Sequence, residues 1–359
     1  MSEKLKYYDI REDILPGVWC VGAVSMRGPG KTYSSLRYCI EEQKKFVLLR
    51  RTEREIKLIL KNLPLTDETT DDDTSPFAPL NRDFGWNIKA VRVDEGFLAF
   101  YHHIINDEGK EVPTGSPLGY CMCMKLIKDV KGFNLDVDVL IFDECAPYKW
   151  VREYPGEGDG VIDLYETLMR DRLKRGKDQI LLLLLANTVN VNAPIFRTME
   201  LVDIFAEMSF NKEEKRNVDG ILLHILSPDR YKMKEDKYIS GMEKHMRDTQ
   251  YGAMAYRSEF GYNDFSNIRK NRLKGYKCQV KFKYINKTFY IYQKDGNYHI
   301  CQSKGRALRE YDLSLENDQK LFFHKELRKL YTKLIKSQVT FDSYSAYNLI
   351  VDYKKVFTL

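Results

Sequence analysis

No stretch of the chain reaches the roughly 18 consecutive apolar residues that a membrane-spanning helix needs. The N-terminus, MSEKLKYYDI, is charged where a signal peptide turns apolar. A soluble, intracellular protein is expected. Cysteines occur at positions 20, 39, 121, 123, 145, 278 and 301, an odd number without a CxxC pair, and the six histidines show no HxxxH spacing. These absences argue against a disulfide framework and a zinc site, leaving buried, reduced thiols as the expectation. No internal repeat is visible, which removes solenoids and propellers. A strong net charge is missing too, with 58 Lys+Arg against 52 Asp+Glu and a formal charge of +6.

What the 359 residues do contain is ample core material, 43% hydrophobic with 13% aromatic, enough for about two domains and too much for a wholly disordered chain. The charge is also unevenly spread. Residues 1–211 hold 28 basic and 34 acidic side chains, and residues 212–359 hold 30 and 18, so the first part carries −6 and the second +12. A polyanion-binding C-terminal part follows as a first hypothesis.

Apolar runs at Val18–Ser25, Phe46–Leu49, Val139–Phe142 and Ile180–Ala186 read as strands buried on both faces, with a segment of helical length, Tyr33–Lys45, between the first two. This is the pattern of an α/β domain with a parallel central sheet over residues 1–211. Thr66–Pro79 is nearly devoid of apolar residues and reads as a solvated loop. Residues 212–265, charged and weakly periodic, read as a linker or small subdomain. In the C-terminal part, 266–359, three strands at Cys278–Ile285, Thr288–Gln293 and Tyr298–Cys301 are separated by turn residues and predict a meander. An amphipathic helix is expected over Asn317–Lys336.

After the first apolar run comes Ser25-Met26-Arg27-Gly28-Pro29-Gly30-Lys31-Thr32, then a helix candidate beginning at Tyr33. The phosphate-binding pattern GxxxxGK[ST] is met everywhere except the first position, where Ser25 replaces glycine. Gly28 and Gly30 let the backbone curl so that its N–H groups face a β-phosphate at the positive end of the helix. Lys31 then bridges β- and γ-phosphates, and Thr32 ligates Mg²⁺. Pro29 withdraws one N–H from the cradle. Ser25, Arg27, Gly28, Gly30, Lys31, Thr32 and Tyr33 form the candidate ATP-contacting set.

The strand at Val139–Phe142 ends in Asp143-Glu144. An acid at this position holds the Mg²⁺ shell in phosphate-loop ATPases, which suits Asp143, and the adjacent Glu144 is the candidate base for the attacking water. The run from Ile180 ends in Asn187, whose neutral amide suits a γ-phosphate sensor, a turn or helix-capping role being equally open. Between these strands, Leu164, Leu168 and Met169 are placed to face a core while Arg170 and Arg172 project elsewhere. Either arginine is a candidate finger for a neighbouring subunit's nucleotide, or a merely solvated side chain.

On RGPGKT, FVLLRR at Phe46–Arg51, LIFDE at Leu140–Glu144, MRDR at Met169–Arg172, ANTVNVNAP at Ala186–Pro194, TQYGAMAY at Thr249–Tyr256, the meander and VTFDSYSAYNLI at Val339–Ile350, the chain resembles the genome-packaging (encapsidation) ATPases of small tailed phages, compact relatives of terminase large subunits. The resemblance implies an ASCE-class P-loop NTPase domain, a linker, and a smaller α+β domain similar to RNase H-type nucleases but without catalysis. It further implies a homomeric ring, usually a pentamer, that moves double-stranded DNA through the portal of a preformed capsid in the host cytoplasm, with structural RNA as a possible partner. Carried over by position, it makes Asp143 the metal ligand, Glu144 the catalytic glutamate and Arg170 the trans-acting finger, with Arg172 close behind. It puts Arg50 or Arg51 near the nucleotide base and Lys128 or Lys131 across the subunit boundary.

Two further readings stay open on the residues themselves: a cellular-type helicase or recombination ATPase, and a nucleic-acid-binding scaffold with a vestigial nucleotide site, which Ser25 and Pro29 keep in play. The meander strands carry Lys and Tyr where a nuclease would need its first acid, so no nuclease activity is expected. Arg269–Lys277 is the densest basic cluster and a candidate contact for DNA, RNA or portal, or a solvated loop.

Overall fold

A computed structural model of the chain describes residues 7–60, 74–128, 135–147, 153, 154, 156–188, 190–231, 240–258, 267–269 and 271–357. Two compact units are present, Met1–Leu201 with Asn211–Tyr262, and Val202–Phe210 with Asn263–Leu359. Most of the acidic loop over Thr66–Pro79 lies outside the described residues. No helix among the described residues is long and apolar enough to cross a membrane.

In the first unit, nine described strands form one sheet: β1 (Cys20–Ser25), β2 (Phe46–Arg50), β3 (Ile88–Asp94), β4 (Phe97–Ile105), β5 (Glu111–Cys123), β6 (Val139–Asp143), β7 (Leu181–Asn187), β8 (Lys215–Val218) and β9 (Ile221–Ile225). Their spatial order is β3-β4-β5-β2-β6-β7-β1-β9-β8. The stretch from β5 to β9 is parallel throughout, and β3, β4 and β8 run antiparallel to their neighbours. The four apolar runs are the four central strands, and all residues of β1 and β6 are buried, as strands covered on both faces require. Apolar side chains such as Val21, Leu36, Leu48, Phe100, Ile141 and Leu183 pack into one core against this sheet.

The sheet is wider than the sequence reading foresaw. The antiparallel β3–β5 were not anticipated, because β5 carries Pro113, Gly115 and Pro117 and alternates only loosely. At the other end, β8 and β9 fall within residues 212–265, the expected linker or small subdomain. They complete the sheet instead, because Ile221–Ile225 is buried through its centre and pairs with β1. This edge is fastened by a buried polar cluster. Asp13 accepts hydrogen bonds from Tyr8 Oη at 2.6 Å, His224 Nδ1 at 2.7 Å and Lys215 Nζ at 2.6 Å, so residues 8–13 are tied to both β8 and β9.

The second unit holds β10 (Lys277–Tyr284), β11 (Lys287–Lys294), β12 (Asn297–Cys301), β13 (Arg309–Asp312) and β14 (Val339–Phe341). They are ordered β13-β10-β11-β12-β14, with an antiparallel meander at the centre and a parallel strand on each side. The expected meander is present, enlarged by two strands. Neither β10 nor β11 carries an Asp or Glu. The expected helix runs from Glu316 to Leu334 but has a π-helical segment at Phe323–Leu327, where its apolar face turns to keep Phe322, Leu327 and Leu330 in the core. The helix Val202–Asn211, read from sequence as the end of the first domain, belongs through Val202–Phe210 to this second unit. Its Asp203 accepts hydrogen bonds from Ser345 N at 2.8 Å and Ser345 Oγ at 2.6 Å. All seven cysteines are free, six of them buried.

Candidate active site

Parallel strands end their chains on one edge of the sheet, and ligands of open α/β sheets bind outside those carboxyl ends. Here strand register assembles the candidates there. Leu49 pairs with Phe142 and Ser25 with Asn187, so the C-terminal ends of β2, β6, β7 and β1 present Arg50, Asp143, Asn187 and Ser25 on one edge.

The loop after β1 curls through Gly28 at φ 90° and Gly30 at φ 97°, conformations that side chains with a Cβ rarely adopt. Gly30 is the N-cap of the helix Lys31–Glu41 and has no side chain to cap it, so the free N–H groups of the first turn face the loop. The loop is braced from three sides. Tyr8 N donates to Pro29 O at 3.0 Å, Met26 N to Ser258 Oγ at 3.0 Å, and Arg27 N to Ala255 O at 3.3 Å. Ser25, in the position of the usual first glycine, is fully buried and useful to the site. Its hydroxyl donates to Met26 O at 2.6 Å and accepts from Lys31 Nζ at 2.5 Å.

Lys31 is nearly buried, with its ammonium also 3.3 Å from Met26 O and 3.4 Å from Asn187 Oδ1. Burial pushes its pKa down to about 8, against the opposing pull of Asp143, Cys145 and Glu144. Thr32 Oγ1 lies 3.0 and 2.9 Å from the two carboxylate oxygens of Asp143 and donates to that carboxylate. Glu144 follows at φ 55°, a strained left-handed conformation for a glutamate, and its N–H donates to Asp143 Oδ1 at 3.1 Å. Its side chain is exposed, yet withdrawal of the carboxyl from water and the charge of Asp143 raise its pKa above the usual carboxylate value. The structure thus gathers Ser25, Lys31, Thr32, Asp143, Glu144 and Asn187 around one loop. Arg27 and Gly28 are exposed on it. Tyr33 is turned away, with its hydroxyl donating to Asp83 at 2.7 Å.

No protein-family model matches the chain, and neither does any curated protein sequence. Among solved structures it is similar to a chain of the bacteriophage phi29 viral genome packaging motor assembly, at 17% identity and a TM-score of 0.65, covering 98% of this chain and 99% of that one. It is likewise similar to the phi28 gp11 DNA packaging motor, at 16% identity and a TM-score of 0.61, covering 98% of each. The chain has the fold of a phage genome packaging motor.

Within this packaging-motor fold the arginines take different places. Arg50, expected near a nucleotide base, reaches Asp143, with Nη1 3.2 Å from Oδ2, because β2 lies beside β6. Arg51, the alternative, is buried. It forms a short ion pair with Glu157 and donates through Nη2 to Cys145 O at 3.3 Å. Arg172, expected to project from the core as a second finger, is also buried. Its Nε donates to Asp178 O at 3.1 Å, while Nη1 and Nη2 each lie 2.9 Å from a carboxylate oxygen, of Asp136 and Asp138 respectively. Arg170 caps the helix Glu157–Met169 with an exposed side chain and no ion-pair partner among the described residues. Lys131 and the side chain of Lys128 lie outside the described residues, as does Lys270 within the basic cluster. Sequence reasoning missed Ser258 and Glu157, and named Arg51 only as an alternative near the nucleotide base. The first is 232 residues from its partner, and nothing local marks such a pairing.

Proposed function

We propose that the chain is the ATP-hydrolysing subunit of a motor that drives double-stranded viral DNA into a preformed capsid as a homomeric ring, a pentamer docked on the portal in the host cytoplasm, with structural RNA a possible further partner. The observation that carries this reading is the convergence of Lys31, Thr32, Asp143, Glu144 and Asn187 at the carboxyl edge of a parallel sheet, in a chain whose fold follows packaging-motor chains from end to end.

The donor set fits a hard divalent ion. Thr32 Oγ1 and both oxygens of Asp143 already converge within hydrogen-bond distance and supply the oxygen ligands that Mg²⁺ takes. When bound, the ion neutralises developing charge on the β- and γ-phosphates. The remaining work falls to the chain. Loop amides curled at Gly28 and Gly30 hold the phosphates, and Lys31 releases Ser25 Oγ to reach the β- and γ-oxygens. Glu144, its pKa raised by burial of the carboxyl and the charge of Asp143, orients water and accepts its proton. The amide of Asn187, hydrogen-bonded to Lys31 at rest, senses the γ-phosphate, and Arg170 of one subunit reaches the nucleotide of its neighbour. Grip on DNA is through phosphates, by the second unit with its excess of Lys and Arg, and weakens as salt rises. No DNA cleavage is part of this reading, since β10 and β11 carry no acid to hold a catalytic metal pair.

The test is DNA-stimulated ATP turnover by the assembled ring. Glu144→Gln should bind nucleotide with little change and lose turnover by roughly 10²–10⁴-fold. Turnover that survives this substitution, or unwinding of forked DNA by the wild type, would refute the proposal.

A further inference from the structure

Arg170 can act on a neighbour's nucleotide only if it is held at a fixed place relative to its own subunit's frame. The helix that presents it, Glu157–Met169, is fastened at both ends to the flanks of one strand, β6. At the N-terminal end, Glu157 in the first turn pairs with Arg51, and the same guanidinium holds Cys145 O, the carbonyl that follows Glu144. Beyond the C-terminal end, Arg172 reaches back to Asp136 and Asp138, which immediately precede β6. The third hydrogen bond of Arg172, to Asp178 O, closes the short turn 173–178 on itself.

Besides its own backbone, that turn is held by two exposed lysines, Lys177 paired with Asp136 and Lys174 with Asp171 at 3.0 Å, both flexible surface contacts worth little beside the buried guanidinium. Arg172 N donates to Met169 O at 3.0 Å, Arg175 N to Asp171 O at 3.0 Å and Lys177 N to Arg172 O at 3.1 Å. Asp171 sits at φ 61°, a conformation a non-glycine residue keeps only when its surroundings impose it. Leu173 is 64% exposed, so no apolar anchor substitutes there for the guanidinium. A fork of three hydrogen bonds on a planar cation is a far stiffer tether than a lysine could supply.

We infer that Arg172 is a positioning residue for Arg170, locking the end of its helix to the base of β6 so that finger and Glu144 are set by the two ends of the same strand. The inference rests on the reading of Arg170 as a trans-acting finger, which itself contributes about 10³–10⁵ in rate where such fingers operate.

The experiment combines a double-mutant cycle on ring ATP turnover with amide hydrogen exchange. Arg172→Ala should lower turnover by at least tenfold, leave affinity for a fluorescent ATP analogue unchanged, and speed exchange over residues 171–177 while sparing the helix Glu157–Met169. In an Arg170→Ala background it should have no additional effect on turnover. Arg172→Lys should keep the charge and still show the defect. If Arg172→Ala does not fold, the lysine variant carries the same comparison. A wild-type rate in the Arg172 variants, or a loss that multiplies with Arg170→Ala, overturns the positioning role. Full turnover in Arg170→Ala alone overturns the finger reading and this inference with it, and that result is separate from either of the others.

Discussion

Replacing Arg51 by methionine isolates the most deeply buried charge pair of the site. The Glu157 side chain has no accessible surface, and Arg51 retains 6%. Among the described residues Oε1 of Glu157 has no hydrogen-bond partner, and Oε2 receives Arg51 and, at 3.3 Å, Tyr154 N. Without Arg51 the carboxylate keeps a single backbone donor in a site closed to water, and Cys145 O loses its guanidinium donor as well. Breaking a buried pair in this way costs about 3–5 kcal/mol. For a unit of 150–250 residues, each kcal/mol moves the thermal midpoint by roughly 2–4 °C, so a fall of about 6–20 °C is expected. The control is the double variant Arg51→Met/Glu157→Leu. Substituting both partners by apolar groups removes the stranded charge, and replacing an intact buried pair in this way is often neutral or better. At least half of the lost stability should return. Thermal and urea unfolding of the three proteins decides the matter. A single variant within about 1 kcal/mol of wild type would mean the pair is worth no more than a surface ion pair, and the desolvation argument fails. A double variant no better than the single would refute the stranded carboxylate as the cause.

Gly30→Ala forces a Cβ onto a backbone at φ 97°, which costs about 1–3 kcal/mol in the loop itself; equilibrium titration should show nucleotide affinity falling at least tenfold. In the second unit, His299 is buried between Thr340 Oγ1 at 3.0 Å and Asn271 Nδ2 at 3.3 Å. Burial lowers its pKa, so as pH drops below about 6.5 the unfolded chain takes up a proton that the folded one refuses, and stability declines. Unfolding by urea between pH 7 and 5 should show a shallower decline in His299→Asn, and an unchanged slope would refute this assignment.

How far the residues alone disclosed this molecule follows from burial. The central strands β1, β2, β6 and β7 are covered on both faces and had to be apolar runs, so they were legible, as was the phosphate loop, whose glycines answer to backbone geometry. Strands β3–β5 and β8 lie toward the sheet edges, where composition need not be apolar, and β5 is punctuated by residues that ordinarily mark turns. Side-chain partners were the least visible. Arg172 and Arg170 stand two residues apart with the same charge, and only the tertiary positions of Asp136 and Asp138 make one an anchor, while the other has no ion-pair partner among the described residues. The same holds for Arg50, whose partner is set by which strand lies beside β2.

The pairing of β9 with β1 sets a limit on where this chain tolerates shortening. Five residues of β1, Cys20 to Val24, are matched along β9. Ending the chain at residue 211, where composition suggested a domain boundary, would strip that partner away and leave the strand before the phosphate loop as a bare apolar sheet edge. Such an edge is a template for other chains. The shortened protein should therefore self-associate before its nucleotide chemistry can be measured, and its yield in soluble form is the first property that cutting there would destroy.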